Sequence, residues 1–492
     1  MSKREQSFGH DLVYYAITYI VPMIIGFLLV PIFTSNFTTA EYGQYSLINA
    51  SAGFLGILSV NWINVAFIRY YTNDEEDTKE QQLIIVSIIA LTALVTLISI
   101  ILFVLSYFGI IDEIIPSKYL WLTIVLLFSA NLHSFFFSYL RANRKAKFAT
   151  VLTTLTILIR FLLFIYLLKN FDLSIAAILI ATIVSDIIYS LVVVIKEKKK
   201  LRLYKFDNLD FNLIKEYFNY GFPFILILGV HWLLTLSDRY MLKFLRDSSE
   251  VGIYSINYSF AQQIMMPLIT IFMSTAEPIL FRKHRNNTET EVNYTLNTIF
   301  KYFFLMILPA VVGLSVVSNN ITSLFIKNDF KAGYIIIPIV TFGFLFLGVR
   351  QYLNKSLELV KKSKEIANIS LVAAITNIVF NLILIPIYGY IGAAWATLIA
   401  YFVYFILSYY KTNHLSNLKI KFTFSHIKII TAATIMGICV YGVNFLPISN
   451  VPLLLFVQII VGLLVYFVAL IFLKVIKDDV SLILNRFRKK GR

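Results

Sequence analysis

Residues 41–46 read EYGQYS, and residues 250–255 read EVGIYS. The copies stand 209 positions apart, and each lies between two long apolar runs. Upstream, Tyr14-Tyr15 leads to Pro22 before the first copy, as Tyr217-Phe218-Asn219-Tyr220 leads to Pro223 before the second. Downstream, at an offset of 217, Arg144-Lys145-Ala146-Lys147 matches Lys361-Lys362-Ser363-Lys364, and Ile175-Ala176-Ala177 matches Gly392-Ala393-Ala394. Each match is weak alone. In one order and at nearly one offset they describe a duplicated unit, the second copy carrying a few extra loop residues.

The units are built from membrane-length segments. Of 492 residues, 59% are hydrophobic and 14% charged, against roughly 45–50% and 25% in soluble domains. Runs of about 20 apolar residues, enough to cross a ~30 Å hydrocarbon core as helix, fall at 11–35, 46–68, 83–108, 119–140, 149–168, 173–195, 217–242, 252–280, 297–318, 333–352, 367–387, 391–410, 429–446 and 452–473. They predict an all-α polytopic membrane protein with fourteen spans. The break between the eleventh and twelfth rests on the turn signal Pro386-Ile387-Tyr388-Gly389. A β-barrel would need alternating segments of ~10 residues, and these runs are twice that length and apolar on every face. The N-terminal MSKREQSFGHD lacks a small-residue cleavage site before the first span, so it reads as a retained anchor.

Six spans separate the copies, an even number, so both halves enter the membrane in the same sense. The expected architecture is two parallel six-helix lobes, residues 1–195 and 217–410, joined by a hydrophilic linker at 196–216. Residues 411–492 add two unpaired C-terminal spans and a basic tail. Within the linker, Phe206 to Tyr217 has near-helical apolar spacing, which suits an interfacial helix.

The net charge of +16 is placed by topology rather than by nucleic acid. Arg141, Arg144, Lys145 and Lys147, the run Lys196 to Lys205, Arg282, Lys283 and Arg285, Lys361, Lys362 and Lys364, Lys411, Lys419 and Lys421, and the tail Arg486 to Arg492 all fall on one side. The other side holds only Lys118, Lys169, Arg239, Lys243, Arg246, Lys327 and Lys331. By the positive-inside rule both termini are cytoplasmic, with some attraction to anionic lipid. The single Cys439 excludes an internal disulfide, and the six histidines, His10, His133, His231, His284, His414 and His426, form no ligand-spaced pair. No metal site or resident cofactor is expected.

In this setting the chain resembles the polysaccharide transporter, or Wzx-type oligosaccharide flippase, family of the multidrug/oligosaccharidyl-lipid/polysaccharide exporter superfamily. The segments carrying the resemblance are Leu29-Val30-Pro31 through EYGQYS, Ile68-Arg69-Tyr70-Tyr71, Leu140 to Lys145, Ser237-Asp238-Arg239-Tyr240 with the VGIYS that follows, and NIVFNLILIPIYGYIGAAWAT at 377–397. The resemblance implies a transporter rather than an enzyme. Its expected activity is moving a polyprenyl-diphosphate-linked glycan from the inner to the outer leaflet of a bacterial cytoplasmic membrane. It also implies membrane lipids as surroundings, polysaccharide polymerase and chain-length proteins as partners, and a monomeric unit. Fourteen spans is the count of lipid II flippases that the chain looks like, in which the extra pair is associated with the lipid tail. A lipid II-type flippase and a cation-coupled drug antiporter are the alternatives. Proton coupling, sodium coupling and the membrane potential all stay open as driving forces.

Ionisable groups at depth cost ~2.5–3.5 kcal/mol each on insertion scales, so each needs a reason. Arg160 and Asp186 lie near the middle of the fifth and sixth spans. Either they pair and join two helices, or Arg160 meets a substrate diphosphate that its guanidinium suits, with Asp186 tuning it. Arg69, Arg350 and Lys301 either snorkel to headgroups or line a mouth that a diphosphate meets first. Asn64 and Asn377, the second being the offset-217 counterpart of Arg160, are candidates for sugar hydroxyls or for helix–helix hydrogen bonds.

For coupling or gating the candidates are Asp186, Glu277, Asp238, Arg239 and His231. Glu277 precedes Pro278, which frees a backbone carbonyl beside it; its alternative is an ion pair with Arg282 one turn on. Neighbours on a helix do not face each other, so Asp238 and Arg239 each call for a separate partner, as at an outer gate. His231 would titrate near neutral pH or simply pack. The EYGQYS copies are expected to mark the short outer turn between the first two helices of each lobe.

Overall fold

The computed structural model describes residues 3–71, 78–171, 173–198, 210–286 and 288–475; these residues form helices, turns and connections with no strand. The central run of the expected linker, 199–209, and the basic tail, 476–492, lie outside them. By packing, the chain divides into two compact units, Met1–Ser255 and Ile256–Arg492.

The first unit contains α1 (Lys3–Asn36), α2 (Thr39–Gly56), α3 (Trp62–Tyr70), α4 (Thr78–Tyr107), α5 (Leu120–Ala142), α6 (Ala146–Phe171), α7 (Ile175–Lys196), α8 (Phe211–Gly221), α9 (Phe224–Leu245) and the start of α10 (Ser248–Asn286). Residues Ile57–Asn61 wind as a π-turn, so α2 and α3 run on as one apolar rod, Thr39–Tyr70. Thr38 starts the rod through a reciprocal capping box. Its hydroxyl accepts from the Glu41 amide at 3.2 Å while its own amide donates to Glu41 Oε2 at 2.9 Å, so two otherwise orphaned donors are satisfied.

EYGQYS therefore opens a helix; it is not the turn that the sequence suggests. Glu41 to Ser46 occupy the first two turns of α2, and Glu250 to Ser255 the corresponding turns of α10. The two copies cross each other inside this unit. A Cβ on Gly43 would overlap the Ser248 carbonyl, and one on Gly252 would overlap the Thr39 carbonyl. Ser46 Oγ donates to Ser255 Oγ at 2.8 Å, between residues 209 apart. Ser46 meets its own repeat-mate, and the contacts Gly43–Ser248 and Gly252–Thr39 are repeat-mates of each other, the reciprocity of a local twofold. Only glycine lets the two backbones come this close.

Asp210 caps α8, accepting from the amides of Asn212 and Leu213 at 3.1 Å each. Pro223 then separates α8 from α9. The buried Tyr217 fastens α8, its hydroxyl lying 3.1 Å from the Ile63 carbonyl and 2.7 Å from Ser87 Oγ.

The second unit contains most of α10, then α11 (Glu289–Phe325), α12 (Ile336–Leu359), α13 (Ser363–Leu415), α14 (Phe424–Gly442) and α15 (Val451–Phe472). At 53 residues α13 would be ~80 Å long if straight, far more than one crossing. It breaks at Gly389, φ 56 and ψ −134, a conformation glycine tolerates. A Cβ on Gly392 would overlap the Leu384 carbonyl, so the returning arm folds directly onto the first. Pro386 and Gly389 thus do what the turn signal indicates. α14 and α15 pack on each other and on α11. Gln458 on α15 donates to Asn444 at 3.1 Å, and Tyr466 donates to the Leu305 carbonyl at 2.8 Å.

Among the described residues, twelve helices are long and apolar enough to cross a membrane, with Ile20–Asn36 as a shorter apolar stretch. The reading of fourteen divides Ser363–Leu415 at its break and counts the first apolar run as a span. α11 also continues to Phe325, beyond the ninth apolar run at 297–318. Large apolar side chains such as Leu97, Ile100, Leu162, Phe456 and Leu463 are about half or more exposed, which suits a hydrocarbon solvent rather than water.

Candidate functional site

One polar cluster of the first unit lies near the middle of α5, α6 and α7. Arg160 on α6 donates from Nε to Ser185 Oγ at 3.0 Å and from Nη2 to Asp186 Oδ1 at 2.7 Å, both on α7. His133 on α5 places Nδ1 2.8 Å from the same carboxylate oxygen, and its ring lies 4.1 Å, centroid to centroid, from that of Tyr189. Asp186 is 3% exposed at its side chain, whereas Arg160 is 31% and His133 22% exposed. The carboxylate is thus the buried member, and the two basic groups face outward from it. Such a pair needs this hydrogen bonding, because a buried carboxylate stripped of partners is costly. Three of the guanidinium's five N–H donors are not used by these bonds, and they can receive an anion.

The π-turn supplies the adjoining wall. A π-turn inserts one residue into an α-helix and recurs at functional sites. Here it is followed by Asn64, whose Nδ2 donates to Ser134 Oγ on α5 at 2.8 Å. Asn64 Oδ1 and Asn131 Nδ2 are buried and make no hydrogen bond among the described residues. Asn131 lies against Gly56, where a Cβ would stand 3.4 Å from its Oδ1, an ordinary contact. An arginine with donors beyond its carboxylate pair, a histidine and two amides can hold a polar group inside a membrane.

The other predicted residues are dispersed. Arg69 is exposed in the last turn of α3, and His231 is exposed on α9. Asp238 and Arg239 do pair, contrary to the neighbour rule: Arg239 Nη1 donates to Asp238 Oδ1 at 3.0 Å and to the Thr235 carbonyl at 3.0 Å. Both residues are buried, and Tyr254 donates to Asp238 Oδ2. Buried with its neighbour, the guanidinium curls back to that carboxylate.

In the second unit Glu277 is paired with Lys355 of α12 at 3.0 Å rather than with Arg282, which is exposed. Lys355 also holds Glu358 at 2.6 Å. Arg350 stacks over Tyr404, 4.2 Å from its centroid. Lys301 donates to the Val475 carbonyl just beyond α15, at 3.1 Å. Asn377 is buried between the arms of α13, with Thr397 at 3.5 Å and Asn381 at 3.0 Å. His133 is the site residue that the sequence does not flag. Among the described residues no group of three or more His, Cys, Asp or Glu is disposed to hold a metal ion.

A second feature of the second unit is an apolar cavity of about 530 Å³ between α10, α11, α14 and α15. Leu268, Met306, Ala310, Gly313, Met436 and Leu463 are among its walls, and Gln458 and Tyr466 bring its polar atoms.

Comparison with known proteins agrees with this architecture. A family model described as polysaccharide biosynthesis protein matches residues 8–284, more than half of the chain, and one described as MatE matches residues 223–383. An uncharacterized membrane protein of Methanocaldococcus jannaschii is 24% identical over 391 residues, 76% of this chain and 74% of its own. The probable low-salt glycan biosynthesis flippase Agl15 of Haloferax volcanii is 26% identical over 220 residues, 44% of this chain and 46% of its own. Among solved structures, the lipid II flippase MurJ in an inward closed conformation superposes with a TM-score of 0.79 at 18% identity, covering 95% of this chain and 99% of that one. An inward-facing multidrug resistance MATE transporter gives 0.64 at 14% identity over 80% and 95%. The helices, the duplication and the family match converge: the chain is a multi-pass membrane protein that belongs to the polysaccharide biosynthesis protein family and shares the fold of the MurJ and MATE structures.

Proposed function

We propose that this protein is a flippase carrying a polyprenyl-diphosphate-linked oligosaccharide from the inner to the outer leaflet of a bacterial cytoplasmic membrane, with both termini cytoplasmic. The observation that carries the reading is the Arg160–Asp186–His133 cluster, a basic group kept accessible at mid-depth by a buried carboxylate. Arg160 binds the diphosphate bidentately, His133 adds a second donor, and Asn64 and Asn131 take sugar hydroxyls. Asp186 keeps the guanidinium oriented between cycles and receives it back when the anion leaves. The glycan relationship of the Haloferax volcanii relative and the chain's own family support the same substrate class.

The apolar cavity of the second unit offers hydrocarbon contact and almost no polar competition, and an isoprenoid chain suits its walls. Access alternates between two six-helix lobes, 1–195 and 217–410, and the glycine crossing of Gly43 and Gly252 closes the outer side. Outward movement of an anion against an inside-negative potential gains ~2.3 kcal/mol per charge per 100 mV, so the potential itself drives the cycle. A lipid II-type precursor is the second substrate to test, because the MurJ likeness extends over 95% of the chain.

The test is leaflet transfer in proteoliposomes of a fluorescent undecaprenyl-diphosphate oligosaccharide, of lipid II, and of a lipophilic cation, under imposed potential, proton and sodium gradients. Transfer of the oligosaccharide lipid that is lost in Arg160→Lys is expected. Transport of the cation alone refutes the proposal.

A further inference from the structure

We propose a binding site for an anionic phospholipid on the outside of the first unit, where the start of α6 meets the end of α7. An open recess of about 500 Å³ there is lined by Lys145, Lys147, Phe148, Val151 and Lys196. Three lysines thus line it, and the carboxylate beside them is Glu197. That carboxylate is 4% exposed and is taken by Lys145, whose Nζ contacts both oxygens at 2.6 and 2.7 Å. Lys196 holds its ammonium 3.6 Å from the centroid of Phe148, which fixes a cation over an aromatic floor. The first turn of α6, beginning at Ala146, adds the positive end of a helix.

The floor indicates which anion belongs there. Val151, part of the recess, is the first of an exposed stripe that continues down α6 through Leu155, Leu158 and Leu162, each 40–64% exposed. The spacing of three and four residues keeps them on one face. Leu191 and Ile195, 54% and 68% exposed, run beside them on α7. A cationic recess at the level where two membrane-length helices end, opening onto an apolar track, fits a headgroup phosphate above and an acyl chain below. A soluble anion would leave the track unused, and a protein or nucleic acid would have to enter hydrocarbon to use it. Basic pockets between transmembrane helices take acidic headgroups on these terms. The site lies apart from the Arg160 cluster and does not rest on the transport proposal.

The experiment is native mass spectrometry of the full-length chain in detergent, titrated separately with phosphatidylglycerol and phosphatidylcholine. One phosphatidylglycerol is expected to be retained in preference. Lys147→Gln with Lys196→Gln is expected to weaken it roughly 30-fold, at about 1 kcal/mol per lysine near an anionic headgroup, while Lys147→Arg with Lys196→Arg keeps it. Lys419→Gln with Lys421→Gln makes the same change in net charge elsewhere and should leave retention intact. Equal loss in both glutamine pairs, or no loss in the first, overturns the proposal. Displacement of the lipid by inorganic diphosphate at equal concentration overturns it in favour of a free-phosphate site. If the first variant does not fold, photo-crosslinking of the native chain with a phosphatidylglycerol carrying its diazirine near the glycerol decides: label on 145–151 or at 196 supports the site, and label only elsewhere refutes it.

Discussion

Replacing Gly43 and Gly252 together by alanine tests whether the crossing of α2 and α10 is a closed state that the protein must leave. A methyl on Gly43 would sit 2.9 Å from the Ser248 carbonyl carbon and 3.1 Å from the Gly252 nitrogen, and one on Gly252 would sit 2.8 Å from the Thr39 carbonyl carbon. All of these are backbone atoms with no rotamer to escape into, so the helix starts must separate. Overpacking costs ~1–3 kcal/mol, and the cost falls only on the arrangement in which the starts touch. A bias of that size moves a two-state population by roughly 5- to 150-fold. The assay uses Ser46→Cys and Ser255→Cys in a Cys439→Ala background, since Ser46 Oγ and Ser255 Oγ lie 2.8 Å apart and Cys439 is the chain's single cysteine. Rapid disulfide formation is expected, slowed 5- to 150-fold by the alanines, with glycan-lipid transfer stopped by the bridge and restored by reductant. Crosslinking at an unchanged rate in the alanine variant, or transfer continuing through the bridge, would refute the argument.

Arg160→Ala strands the buried Asp186 carboxylate with His133 alone, and breaking a buried pair costs up to ~3–5 kcal/mol, lessened here by the partial exposure of Arg160. Adding Asp186→Asn should restore much of the melting temperature in detergent without restoring transfer; recovery of both would remove the guanidinium from the site. Glu277→Gln leaves Lys355 bonded to Glu358 and should shift stability by no more than ~1 kcal/mol. Lys355→Met, which strands both carboxylates, should cost more in the same thermal unfolding series. Thr38→Ala removes the hydroxyl from the capping box that starts α2 and should cost ~1 kcal/mol, read as a lower melting temperature.

Much of the architecture is legible because membranes demand a long apolar run for every crossing. The duplication is legible because the same glycine-containing phrase is written twice. That the phrases touch is not legible, since helical periodicity describes each segment separately and says nothing about which segment it meets. Arg160 and Asp186 announce themselves as opposite charges at one depth on adjacent helices. His133 does not, because its partner comes from α7, 53 residues on, and a lone histidine has no spacing to betray it. Glu277 misleads for the same reason: Arg282 is one turn away in sequence, but Lys355 reaches it from another helix. Asp238 and Arg239 break the neighbour rule because both are buried, where a bent guanidinium costs less than an unmatched charge. The π-turn at Ile57–Asn61 carries no residue signature of its own.

The reciprocity of the glycine crossing also constrains how the two halves of the gene can change. A larger residue at position 43 is opposed by the unaltered backbone around 252, and the reverse holds equally, so neither glycine can be replaced while the opposing backbone stays where it is. Positions 160 and 377 bond within their own halves, Arg160 to α7 and Asn377 to Thr397 and Asn381, and one half carries arginine where the other carries asparagine. The ancestral symmetry therefore persists at the point where the copies meet, and individuality has been free to arise at the depths where each copy works alone.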